Sequence, residues 1–194
     1  MQIGFSSEVH YMAKSSREQI EADEIKILQE LRKNSRLSYN DLAEKCGFSR
    51  QKVWRIVNDL EKNKTIWGYS TVIDDNKFGI KQFFLFIKRK GGKTEDKHVD
   101  IAVNRSLRDH LEKLGMTVEA SYYSHGAYDW ITIISGENIR EVKKFVEHIL
   151  EHYQSIIADV QVTEILFSLQ KEGIENPNKE KLREFFFLTK KKSN

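Results

Sequence analysis

The chain has 194 residues, 39% of them hydrophobic and 31% charged, with a formal net charge of +3. That is apolar material for one large packed domain or two small ones. No apolar run approaches the roughly 20 residues of a membrane-spanning helix, and the N-terminus lacks the basic start and apolar core of a signal peptide, so a cytoplasmic protein with no membrane partner is expected. The lone Cys46 excludes an internal disulfide and any cysteine-based zinc or redox motif.

Residues 1–20 are polar and weakly periodic and read as an N-terminal arm. From Asp23 the pattern turns helical, with Ile27, Leu28 and Leu31 on one side. Ser38 then precedes "YNDLAEKC" with Asp41 three residues on, a capping-box variant that opens a second short helix closed by Gly47. Ser49 is the N-cap of a third, which buries Val53, Ile56, Val57 and Leu60 and turns Gln51, Arg55, Asn58 and Lys62 outward. Three short helices with tight turns suit a helix-turn-helix unit, placed at 21–75 together with "TIWGYSTVI" as a linker strand.

Charge is concentrated here. Lys45 to Lys64 carries six basic residues against Asp59 and Glu61, whereas acids outnumber bases between Glu137 and Glu164. A basic segment of this kind can face a polyanion.

The remainder reads with a different rhythm. "QFFLFIK", "TVEASYYS", "WITIIS" and "ADVQVTEILFSL" are strands, and "VDIAVNRSLRDHLEKL" and "ENIREVKKFVEHILEHY" are helices. The order βαββαβ predicts an α+β fold: a ferredoxin-like domain at 80–170 behind the helix-turn-helix domain, with a C-terminal tail at 171–194. "QFFLFI" is apolar on both faces, while two helices cover only one face of such a sheet. A two-fold homodimer, or a higher assembly built on it, is the expected solution.

A duplex major groove admits one α-helix, whose Arg, Lys, Gln and Asn side chains read base edges while Ser, Lys, Arg and helix amides hold phosphates. The candidate double-stranded DNA contacts are therefore Ser38, Ser49, Arg50, Gln51, Lys52, Arg55 and Asn58. A solvated basic helix face is the plain alternative.

The stretch 23–69 resembles the DNA-binding half of the Lrp/AsnC, or feast/famine, regulators, on Asp23, Ile27, Leu28, Leu31, Arg36, Ser38, Leu42, Ala43, Gly47, Ser49, Val53, Arg55, Leu60, Glu61 and Ile66. In that family a βαββαβ effector-binding domain follows, with a glycine, one residue, an aromatic and an aspartate between its second and third strands. Gly126, Ala127, Tyr128 and Asp129 match that pattern. The resemblance implies a transcription regulator whose assembly or DNA binding responds to an amino acid or related metabolite held by Gly126, Ala127, Tyr128, Asp129 and Thr163. Two departures stand out: Lys64 or Thr65 replaces a glycine frequent in the family, and the arm, an insertion at 89–98 and the tail lengthen the chain. A DNA-compacting architectural protein without an effector would share the fold and the basic surface.

"HILEH", His148 to His152, matches the H-x-x-E-H signature of zinc peptidases, with Glu151 as base. Few residues follow it to supply a third ligand. No catalytic residue, metal or cofactor is expected.

Overall fold

In the computed structural model, which describes residues 17–92, 99 and 108–187, the chain divides between Thr71 and Val72 into two units. The first holds helices α1 (Arg17–Lys33), α2 (Tyr39–Cys46) and α3 (Arg50–Lys62). Helix α1 begins at Arg17, so the described end of the expected arm is already helical.

Both halves of the capping box form at α2. The Asp41 amide donates to Ser38 Oγ at 3.2 Å, and the Ser38 amide donates to Asp41 Oδ2 at 2.9 Å. Gly47 closes α2 with φ 67°, a left-handed turn that lets its amide reach the last carbonyls. Ser49 then caps α3 by accepting from the Lys52 amide at 3.2 Å. Ile27, Leu42, Cys46, Val53, Ile56, Val57 and Leu60 form the core, edged by Phe48 and Ile66.

The end of α3 is closed without a glycine. Lys64 itself takes the left-handed conformation, φ 64°, and the Ile66 amide returns to the Leu60 carbonyl at 3.0 Å. The expected linker strand "TIWGYSTVI" does not form. Residues 67–74 have no ladder partner, Trp67 is 95% exposed, and the Tyr69 hydroxyl donates to Glu61 of α3 at 2.8 Å. Alternating hydrophobicity marks a strand only where a neighbouring strand can take its amides.

The second unit opens with a 3-10 turn, Asp75–Phe78, followed by β1 (Lys81–Arg89), α4 (Arg108–Lys113), β2 (Thr117–Tyr123), β3 (Trp130–Gly136), α5 (Ile139–His152) and β4 (Ile157–Ile165). The strands form one antiparallel sheet in the order β2-β3-β1-β4. This is the expected α+β arrangement. The start of the first helix of this domain, most of the 89–98 insertion, the arm before residue 17 and the end of the tail lie outside the described residues.

Alternation along β1 separates two faces. Phe83, Leu85 and Ile87 are buried with Ile134, Met116, Leu111, Val142, Phe145 and Ile149 under the two helices. Phe84 and Phe86 point the other way, in register with Ile133 and Ile131 of β3 and with Thr163 and Gln161 of β4. Among the described residues no helix packs on that face; its isoleucines and phenylalanines are half-buried and Tyr122 on β2 is 56% exposed. After β4 the chain makes a small hairpin, β5 (Gln170–Lys171) with β6 (Ile174–Glu175), then α6 (Lys179–Phe186). Phe167 packs edge-on to Phe185 and Phe186, so the described part of the tail belongs to this unit. Among the described residues no helix is long and apolar enough to cross a membrane.

Candidate functional site

Helix α3 presents the candidate DNA contacts unevenly. Arg50, Gln51 and Arg55 are exposed along the N-terminal half of its outer face, and Asn58 is half-buried one turn further. No acid stands in the first turn. The positive end of the helix is thus left to attract an anion, with Arg50 reinforcing it.

Lys52 is different. Its ammonium pairs with Asp23 at 2.6 Å and lies 4.1 Å from the centroid of the Phe48 ring. Asp23 is only 6% exposed. Its carboxyl is held below the ordinary value first by the Lys52 hydrogen bond, against the opposing effect of burial, and further by a hydrogen bond from Gln19. Lys52 therefore ties α3 to α1. Ser38 and Ser49 both spend their hydroxyl oxygens on helix caps, and Ser38 Oγ also donates to Asp41 Oδ2 at 2.7 Å.

The second candidate site is the turn between β2 and β3. Asp129 anchors it to β1: the Arg89 amide donates to Asp129 Oδ2 at 2.8 Å, and the Asp129 amide donates to the Ile87 carbonyl at 2.9 Å. Ser124 closes the loop, its amide donating to the Asp129 carbonyl at 2.8 Å and its hydroxyl to the Tyr128 carbonyl at 2.8 Å. Gly126 has φ 159°, at the margin of extended backbone, and a Cβ built there would meet nothing within 4 Å. The positive φ, rather than crowding, is what favours glycine at this position, as the turn was expected to require. Gly126 and Ala127 are exposed.

Tyr128 leaves the loop for the open sheet face. Its ring lies 5.2 Å from Phe86, centroid to centroid, and its hydroxyl donates to Gln161 Oε1 at 2.7 Å. Thr163, two residues along β4, pairs with Phe84 on the same face and is exposed. The fold thus brings Tyr128 and Thr163 to one surface, whereas the Asp129 carboxylate is turned into the strand ends.

The histidines of "HILEH" have a neighbour that spacing does not reveal. His110 of α4 stacks on His148 with ring centroids 3.6 Å apart and planes 8° apart, and His152 lies 3.9 Å from His148. Parallel rings do not aim their in-plane nitrogen lone pairs at a common point. Among the described residues no group of three His, Cys, Asp or Glu could hold a metal.

Residues 24–66 match a family model described as winged helix-turn-helix DNA-binding. An uncharacterized HTH-type transcriptional regulator of Pyrococcus abyssi is 46% identical over 59 residues, which are 30% of this chain and 37% of that protein. The leucine-responsive regulatory protein of Haemophilus influenzae is 36% identical over 69 residues, 36% of this chain and 42% of that one. Similarity to the HTH-type regulator YugG of Bacillus subtilis runs further, 29% over 136 residues, 70% of this chain and 78% of that one. Two solved structures extend the match through the sheet domain. A transcriptional regulator of Neisseria meningitidis in complex with L-methionine has a TM-score of 0.59 and 22% identity over 81% of this chain and 97% of its own. A feast or famine regulatory protein of M. tuberculosis complexed with L-methionine has a TM-score of 0.58 and 21% identity over 78% and 95%.

The chain is thus similar to Lrp/AsnC-type regulators, by sequence in its helix-turn-helix unit and by fold through the sheet domain.

The chain spans little more than a third of the length of the Pyrococcus relative and most of the length of YugG. Against the Lrp/AsnC pattern, two features were missed by sequence reasoning. Gln161 partners Tyr128 across 33 residues of sequence, a pairing visible only once β4 is in register with β1. Trp54 lies on α3 between the expected DNA contacts and is 56% exposed, although an apolar residue beside a buried stripe is ordinarily read as core.

Proposed function

We propose that this protein is a sequence-specific transcription regulator that binds double-stranded DNA through α3 as a homodimer and responds to a small-molecule effector. The observation that carries the reading is the outer face of α3, where Arg50, Gln51 and Arg55 stand exposed at a helix N-terminus with no acid in the first turn. Arginine suits bidentate contact with guanine, and Gln51 and Asn58 suit adenine. The open sheet face, with Phe84, Phe86, Ile131 and Ile133, supports pairing with a second copy through its apolar surface. Paired helices would then meet half-sites about one helical turn, or a multiple of it, apart. A role on DNA supports a cytoplasmic location.

For the effector, the relatives solved with L-methionine make an amino acid the first class to test. Gly126 and Ala127 offer exposed backbone amides for a carboxylate, and Tyr128 and Thr163 offer hydroxyls on the neighbouring sheet face. Asp129 supports this surface from behind by fixing β1 rather than by facing a ligand. An effector acts by binding one assembly more tightly than another.

Replacing Arg50 and Arg55 together by alanine is expected to abolish duplex binding in a salt titration while leaving the melting temperature unchanged. Binding that survives both substitutions overturns the DNA assignment. Footprinting separates a regulator from a compacting protein: a few protected palindromic sites support the first, uniform coverage the second. A thermal-shift screen of amino acids tests the effector, since a ligand of the folded state raises its apparent stability.

A further inference from the structure

Trp54 is the large apolar side chain that the folded DNA-binding unit leaves on its reading helix. It is 56% exposed, while the apolar residues one turn around, Val53, Ile56 and Val57, are buried to 6% exposure or less. Among the described residues its ring stacks on no other ring and its indole nitrogen donates to none. Helical geometry places it beside Arg50 and Gln51, four and three residues before it, and Asn58, four residues after it. An indole here is an apolar surface framed by groups that read polar base edges.

The major groove offers one apolar feature that differs between bases, the C5 methyl of thymine. Arginine, glutamine and asparagine distinguish guanine and adenine through donors and acceptors, and none of them registers that methyl. Exposing an indole to water is unfavourable in the free protein, at about 25 cal/mol per Å² of apolar surface, and covering it with a methyl group reverses part of that penalty. We infer that Trp54 is a specificity-determining residue that reads a thymine methyl in each half-site. This deepens the proposed function and rests on α3 entering the major groove.

Uracil differs from thymine only by the missing methyl, so it removes this contact and leaves base pairing and polar edges intact. Duplexes are first selected from a random library by the full-length wild-type protein, then resynthesised with deoxyuridine at each thymine in turn. Wild type should lose about fourfold in affinity at one thymine position per half-site, the worth of roughly one buried methyl. Trp54→Ala should bind the unsubstituted duplex about as weakly as wild type binds that uracil duplex, or more weakly, and show no further loss at that position. Its melting temperature should match wild type because the side chain is exposed. If Trp54→Ala keeps the wild-type uracil profile, or wild type is indifferent to uracil everywhere, the assignment to Trp54 is overturned while DNA binding stands. If no duplex is enriched at all, the proposed function falls and this inference with it.

Discussion

The Lys52 ammonium lies 2.6 Å from the Asp23 carboxylate, so one of the cations of α3 is used inside the domain to hold α3 against α1. Removing the acid leaves Lys52 to rehydrate through its partly exposed end. Asp23→Asn should cost about 1–2 kcal/mol in a urea titration. The pH dependence follows from the lowered carboxyl. Wild-type stability from this pair is complete above the unfolded aspartate value of about 3.9 and is lost as pH falls from there through the lower folded value. The variant should lack that acid limb.

Lys64 occupies a left-handed conformation, φ 64°, which glycine adopts without strain. A side chain there costs about 1–2 kcal/mol, and glycine gives back part of the relief through its freer unfolded chain. Lys64→Gly should therefore raise the stability of the first unit by about 0.5–1 kcal/mol, read as a higher denaturation midpoint at unchanged slope.

Among the described residues no helix packs on the face bearing the half-buried Phe84, Phe86, Ile131 and Ile133. Phe84→Glu with Phe86→Glu should give a folded monomer by light scattering and weaken operator binding, because two half-sites would no longer be engaged together. A persisting dimer would place the subunit contact elsewhere.

His148 sits between two other imidazoles. Burial lowers its pKa first, and the neighbouring His110 and His152 lower it further, against Glu151, which raises it. The unfolded chain therefore takes up a proton near pH 6.5 before the folded one does. Stability should be complete above about pH 6.5 and decline as pH falls from there towards the lower folded value. Melting curves at pH 8, 6 and 5 check this, and His148→Gln should flatten the decline.

The elements that sequence made legible are those whose signal is local. Ser38 with Asp41 and Ser49 with Lys52 are contacts within three residues, and the two faces of β1 follow from strict alternation, so both cores could be anticipated. "TIWGYSTVI" failed because a strand is a property of two chains of atoms, and its alternation carries no information about a partner. Lys52 was read as a phosphate ligand because its outward position is local, whereas its engagement with Asp23 depends on how α1 crosses α3. For the second site, Tyr128 and Thr163 reached one surface through the pairing of β1 with β4, which no spacing in the sequence encodes. Trp54 was overlooked for a simpler reason: hydrophobicity predicts burial, and this residue departs from it.

The span of the ladder between β1 and β4 also sets an order in time. Gln82 pairs with Ile165, so the sheet cannot be completed until more than eighty further residues have been synthesised. The helical core from Ile27 to Ile66 has all its members at hand long before that. On the ribosome the DNA-reading unit can close first, while the emerging sheet domain waits with Phe83 to Ile87 unshielded. A chain stopped before β4 would thus carry a finished reading head and an exposed aromatic strand, a combination that invites aggregation of nascent chains.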